Sequence, residues 1–322
     1  MAYQAGNKIL DDEYNNFVTS SSTPVGINHM IGTGSGVYGL GQTELGTVDA
    51  GTIINASQWN SLFSAMDNIA NHLNVSITST EAKSAGDSVA IKSNLISDLQ
   101  LIEDALAGGS TGVTALDTSS TLRTSTSTTR WVGSHVAEHS VTFSSADQMR
   151  YFFNGGGKIR TTLSRSSNGG GSATSKDSSF DELISAIGNF DIGSKATTRS
   201  GSGETVTTDG LGNGFHDLGT GYTVLLKLTQ DSGSYTSNYI QVEAKLNAAV
   251  GTAVTMTIKT SLVDADAGDG TFTAGNTSGV DTYANFVGTT NVNLATVSPN
   301  TSEGLVSVPS APTHAEVSNT SS

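Results

Sequence analysis

Cysteine is absent from this chain of 322 residues, which excludes disulfides, thiolate metal sites and cysteine nucleophiles. Charge is scarce, at 14% Asp, Glu, Lys and Arg, and positive charge is scarcest. Fifteen Lys and Arg stand against 29 Asp and Glu, a formal net charge of −14. A nucleic-acid partner requires a basic footprint to neutralise phosphates, and no stretch supplies one. The same anionic surface is repelled by anionic membranes, and no apolar run reaches the roughly 18 residues of a spanning helix, so no membrane insertion is expected. Residues Met1 to Phe17 carry neither the basic nor the apolar region of a secretory signal, so synthesis in a cytoplasm is expected.

Hydrophobic residues are also few, at 35%, and 37 glycines with many Ser, Thr and Asn take their place. Such a chain has too little charge for typical disorder and too many small polar residues for a typical α/β enzyme. Short strands joined by glycine-dependent turns fit it better. The length allows two or three domains. The expected class is α+β, mainly β: an N-terminal helical attachment region over 1–128, a β-sandwich-like domain with two short helices over 130–315, and a flexible tail over 316–322.

The N-terminal region contains a weak repeat. Residues 5–17 (Ala-Gly-Asn-Lys-Ile-Leu-Asp-Asp-Glu-Tyr-Asn-Asn-Phe) align without gaps onto residues 50–62 (Ala-Gly-Thr-Ile-Ile-Asn-Ala-Ser-Gln-Trp-Asn-Ser-Leu). Each copy reads as an extended lead-in, a polar cap and a helix opening on an aromatic–Asn pair, Tyr14-Asn15 and Trp59-Asn60. Asp11 or Asp12 caps the first helix, and Asn55 with Gln58 has the spacing of a capping box for the second. Trp59, Leu62, Phe63, Met66, Ile69 and Leu73 then form one helical stripe. These aromatic–Asn pairs are candidate attachment residues. A third helix over about 87–107 places Ile91, Leu95, Leu99, Ile102 and Leu106 in a seam of about two and a half heptads. That seam either packs on its own domain or, with Leu95, Leu99 and Ile102 as anchors, forms a three-stranded bundle between copies. Residues 109–129 are Gly/Ser/Thr-rich and read as a linker.

Beyond Arg130 apolar residues alternate with polar ones. Val141 and Phe143, then Tyr222, Val224 and Leu226, then Ile240, Val242, Ala244 and Leu246, then Val254, Met256 and Ile258 predict half-buried antiparallel strands. Two helices interrupt them. Ser144 or Ser145 caps one carrying Met149, Phe152 and Phe153; Asp177 caps another carrying Phe180, Leu183, Ile184 and Ile187, which Gly188 ends.

The stretch Phe143 to Arg160, with Tyr151-Phe152-Phe153-Asn154-Gly155-Gly156-Gly157 at its centre, resembles a domain of virion structural proteins of tailed phages, cyanophages particularly. The resemblance continues through Lys176-Asp177-Ser178-Ser179-Phe180, Tyr235-Thr236-Ser237-Asn238-Tyr239, Ala244-Lys245 and Asp264-Ala265-Asp266-Ala267-Gly268-Asp269 to Val306-Ser307-Val308-Pro309, about residues 130–315. It implies a particle component in which Tyr151, Phe152, Phe153, Asn154, Gly155 and Gly156 are structural, and it brings no catalytic residue. One small residue among 154–157 departs from the pattern, where a polar one is expected.

The remaining motifs weigh against catalysis and cofactors. Gly34-Ser35-Gly36-Val37-Tyr38-Gly39 matches the dinucleotide glycine pattern, but no buried strand precedes it and no helix follows. It reads as a Gly-rich arm. His135-Val136-Ala137-Glu138-His139 matches an inverted zinc-peptidase motif, which requires a helix. Its neighbours predict a strand, on which the two rings stand too far apart for one metal. Asp264, Asp266 and Asp269 fail the EF-hand pattern, leaving a Gly/Asp turn or a looser surface Ca²⁺ site. Asn74-Val75-Ser76 and Asn276-Thr277-Ser278 are chance sequons in this composition. Arg150, Lys158, Arg160 and Arg165 pair with carboxylates inside the domain or across a subunit contact. Asp181 and Glu182 point apart and cannot share a substrate.

The expectation is therefore a non-enzymatic virion protein, assembled in the host cytoplasm, without catalytic residues, metal or cofactor. It forms a tail, neck or baseplate appendage, a homotrimer partnered by other virion proteins. Alternatives are a receptor- or glycan-binding module at a fibre tip, with Tyr235 and Tyr239 stacking on host surface sugars, or a capsid decoration protein.

Overall fold

The computed structural model describes residues 11–78, 81–87, 92–108, 119–127, 133–166, 175–233, 235–265, 289–299 and 311–321. The class is the expected one, mixed α+β and mainly β with a helical N-terminal region. The chain divides into two compact units.

The first unit holds helices α1 (Asp11–Thr19), α2 (Ile27–Ile31), α3 (Ala56–Leu73) and α4 (Lys92–Ala107). α3 starts where the sequence says. The Asn55 carboxamide oxygen accepts from the Gln58 N–H at 3.0 Å, and the Gln58 side chain accepts from the Asn55 N–H at 2.9 Å. This closes a capping box. Asn74, in the left-handed region at φ 55°, ends the helix. The whole stripe from Trp59 to Leu73 is buried, and it packs with Tyr14, Phe17, Met30, Leu40 and the apolar face of α4 in one core. Each fully buried Leu, Ile, Met or Phe contributes about 1.5–3 kcal/mol, so this core carries the unit.

One element of the first unit comes from far along the chain. Helix α5 (Ala146–Asn154) lies, but for its first residue, in the stretch 147–157, which belongs to the first unit and not, as the boundary at 128–130 predicts, to the β-rich one. Sequence order does not reveal this, because the side chains that fasten α5 are ordinary polar ones.

The second unit contains eleven strands among the described residues: β1 (Ser119–Ser127), β2 (Ser134–Thr142), β3 (Lys158–Ser166), β4 (Asn189–Ile192), β5 (Thr197–Arg199), β6 (Thr205–Asp209), β7 (Thr223–Thr229), β8 (Tyr239–Leu246), β9 (Thr255–Val263), β10 (Thr289–Val297) and β11 (Thr313–Ser321). Helix α6 (Ser175–Ile187) connects β3 to β4 and starts two residues before Asp177, which takes Lys176 into its first turn. The strands form two antiparallel sheets, ordered β1-β10-β3-β4-β5 and β11-β2-β9-β8-β7-β6. In β2, β8 and β9 the predicted inward residues Val141, Ile240, Val242, Ala244, Leu246, Met256 and Ile258 are buried; β10, which no run above predicts, alternates as well. β7 does not: a bulge between Val224 and Leu226 turns both Leu225 and Leu226 into the core.

The expected flexible tail over 316–322 is corrected as well. It lies largely in β11, which pairs along β2 from Thr313↔Thr142 to Ser321↔His135. No buried side chain announces this strand; even Val317 is 55% exposed. Main-chain pairing along β2, with side-chain contacts such as Ser321 Oγ 3.1 Å from His135 Nδ1, orders it, and periodicity does not encode that.

Two histidines are buried where they cannot readily charge. Neither ring nitrogen of His72 in α3 has a hydrogen-bond partner, and burial lowers its pKa from 6.5. Burial lowers that of His135 too, opposed by a contact with the Thr320 backbone. The unfolded chain therefore takes up these protons first: the stability is complete above about pH 6.5 and is lost as pH falls through the folded values. Denaturant titrations near neutrality and at about pH 5.5 are expected to show a less stable chain in acid, with His72→Leu removing part of the loss. An unchanged acid loss in that variant would contradict this assignment.

Candidate functional site

The aromatic–Asn pairs of the repeat come together in the first unit. Tyr14 and Trp59 meet edge to face, with ring centroids 5.4 Å apart, and both are buried. Their asparagines do equivalent work. Asn15 Nδ2 donates to the Val48 carbonyl at 2.9 Å, and its Oδ1 accepts from the Val48 N–H at 2.9 Å. Asn60 Nδ2 donates to the Lys83 carbonyl at 3.0 Å, and its Oδ1 accepts from the Lys83 N–H at 2.7 Å. Each amide thus holds both polar groups of one residue in a segment outside the helices, as a neighbouring strand would. The lead-in of the first copy, residues 5–10, lies outside the described residues. Asn28 clamps Leu45 in the same way at 2.8 and 2.7 Å. It has no place in the repeat, and sequence reasoning missed it.

The seam residues Leu95, Leu99 and Ile102 are at most 1% exposed within the first unit's own core. Two buried carboxylates on α4 serve the same unit. Glu103 accepts from the Val25 N–H at 3.1 Å and the Tyr38 hydroxyl at 3.0 Å, and Asp98 accepts from Thr78. Burial, then the Glu103 carboxylate, pushes the Tyr38 pKa up to about 12. The bundle between copies is therefore corrected: this face is already covered by the chain itself.

The stretch that carries the phage resemblance forms a strap. Asn154 Nδ2 points at the Gly-rich arm, 3.0 Å from the Tyr38 carbonyl and 3.2 Å from that of Gly39. One turn earlier, Arg150 Nη2 donates to the Thr33 carbonyl at 2.6 Å and pairs with Asp147 at 2.9 Å. The motif's other residues make this possible. Tyr151, Phe152 and Phe153 are buried, and the two Phe rings meet edge to face at 5.2 Å. Gly155, Gly156 and Gly157 donate back to the carbonyls of Tyr151, Phe153 and Phe152. Gly156 does so at φ +92°, and a Cβ on Gly157 would sit 2.6 Å from the Phe152 carbonyl oxygen. The arm itself has Gly34 and Gly39 at φ +52° and +95° and no helix after it, so it lacks a dinucleotide site's geometry.

Comparison with family models, curated proteins and solved structures returned no match.

The other candidates fall as follows. His135 and His139 lie on β2 with both rings buried, and His135 Nδ1 lies 3.1 Å from Ser321 Oγ. Among the described residues no three His, Asp or Glu side chains gather as a metal site. Asp264 is buried against Lys176 and does not face the surface, so it is not the surface Ca²⁺ ligand considered above; Asp266 and Asp269 lie outside the described residues. Arg150, Arg160 and Arg165 find their carboxylates, Asp147, Asp191 and Asp181, within the chain. Asp181 is held by Arg165, and Glu182 accepts from Gln230 at 2.6 Å. Tyr235 is 2% exposed and the Lys227 ammonium covers Tyr239 at 3.8 Å, so neither ring is open to a sugar.

Replacing Asn15 or Asn60 by Ala is expected to lower stability by about 1–3 kcal/mol, because two backbone groups lose partners. Asp at either position should cost at least as much, since a carboxylate repels the carbonyl that the amide served. Thermal unfolding checks this; an Asp variant as stable as the parent would contradict the clamp.

Proposed function

We propose that this chain is a structural component of a tailed-phage virion, a tail, neck or baseplate appendage protein that works as a homo-oligomer among other virion proteins and performs no catalysis. The observation that carries this reading is the strap: the residues that resemble the phage family turn inward and fasten the chain's own Gly-rich arm. A motif used in this way maintains shape. The aromatic–Asn pairs and the α4 face are used likewise. A helical unit joined to a β-rich unit, without cysteine and with a charge of −14, suits a part that is displayed on a particle.

Self-association then uses surfaces other than the α4 core face. The first unit offers exposed Ile53 and Leu101, 83% and 47% accessible, on its outside. Mass photometry of the purified chain together with mass spectrometry of purified particles tests the proposal. A defined oligomer and a fixed copy number in particles are expected. A monomer that is missing from washed particles would overturn it.

A further inference from the structure

The second unit buries a complete charge pair. Lys176 Nζ lies 2.6 Å from Asp264 Oδ2, and both side chains are 0% exposed. Lysine is almost never fully buried, and Lys176 is among the largest fully buried side chains here. Three stretches singled out by the phage resemblance meet at this point. Lys176 is in the first turn of α6, Asp264 directly follows β9 with its N–H donating to the Gly133 carbonyl at 2.9 Å, and the Tyr235 ring lies 5.4 Å from the ammonium. Each ion taken out of water costs several kcal/mol, a cost that a hydrogen-bonded pair offsets only in part.

We propose that Lys176 and Asp264 condense to an intramolecular isopeptide bond. The hydrogen bond holds the amine nitrogen near the carboxyl carbon, at the roughly 3–3.5 Å from which bond formation starts. A proton passes from Nζ to Oδ2, leaving a neutral amine against a neutral carboxylic acid. The nitrogen lone pair attacks Cγ, the Cγ–OH bond breaks, and a second nitrogen proton leaves with the hydroxyl as water. An ammonium and a carboxylate thus become one amide and one water, with no redox change and no co-reactant. The burial that makes the ion pair expensive favours the product: the amide carries no charge, and water is excluded from hydrolysing it. The bond would tie β9, a strand of the six-stranded sheet, to the helix linking two strands of the five-stranded sheet. It closes a loop across 88 residues in a chain without cysteine for any disulfide.

Intact mass spectrometry of the purified, denatured full chain tests this. The expected mass is one water (about 18 Da) below that of the linear sequence, with digestion yielding one branched peptide containing Lys176 and Asp264. Lys176→Arg should restore the full mass. Asp264→Asn keeps the shape and condenses by releasing ammonia (about 17 Da), which keeps the test open if other variants fail to fold. The full linear mass in the folded parent chain, with the two peptides separate, would overturn the proposal and leave an ion pair only.

Discussion

A carboxamide side chain presents a donor and an acceptor much as a peptide group does. The first unit depends on that equivalence. Among the described residues, its non-helical segments around Leu45, Val48 and Lys83 have no strand beside them, and buried or half-buried N–H and C=O groups left unpaired would cost about 1–3 kcal/mol each. Asn28, Asn15 and Asn60 supply the missing partners from helices. Asn154 extends the device to the Gly-rich arm, with its amide aimed at two successive carbonyls. In a chain this poor in apolar residues, such polar ties fix loops that hydrophobic burial alone would leave loose.

The strap also explains a chain order that is otherwise puzzling. Sequence passes from the first unit into the β-rich unit, returns for residues 147–157, and leaves again. Forming the first unit's arm therefore requires a segment more than a hundred residues away, as the separation between Asn154 and Gly39 shows. Long-range closure of this kind slows folding but couples the arm's order to that of a distant element. Under the proposed role as a particle component, that coupling would serve to keep the part's shape.

Much of this was legible in the sequence, and what was not has physical reasons. The capping box at Asn55, the α3 stripe and the strand pattern of β8 and β9 follow from local chemistry and periodicity, and the structure repeats them. The Tyr14-Asn15 and Trp59-Asn60 pairs were visible as a repeat, but their role was not, because a clamp is defined by a partner 33 or 23 residues away. The seam of α4 looked the same whether it faced its own core or another chain; only the packing of Leu95, Leu99 and Ile102 decides. β11 was missed because its order comes from main-chain pairing, and Lys176 with Asp264 because no local pattern brings together residues 88 apart.

The strap is tested most directly by hydrogen exchange on the full chain in rising denaturant. Peptides covering the arm at 30–42 and the strap at 146–157 should lose protection together, in one step distinct from that of the β8 and β9 peptides. An arm that exchanges freely while 146–157 stays protected with the sheets would contradict the account.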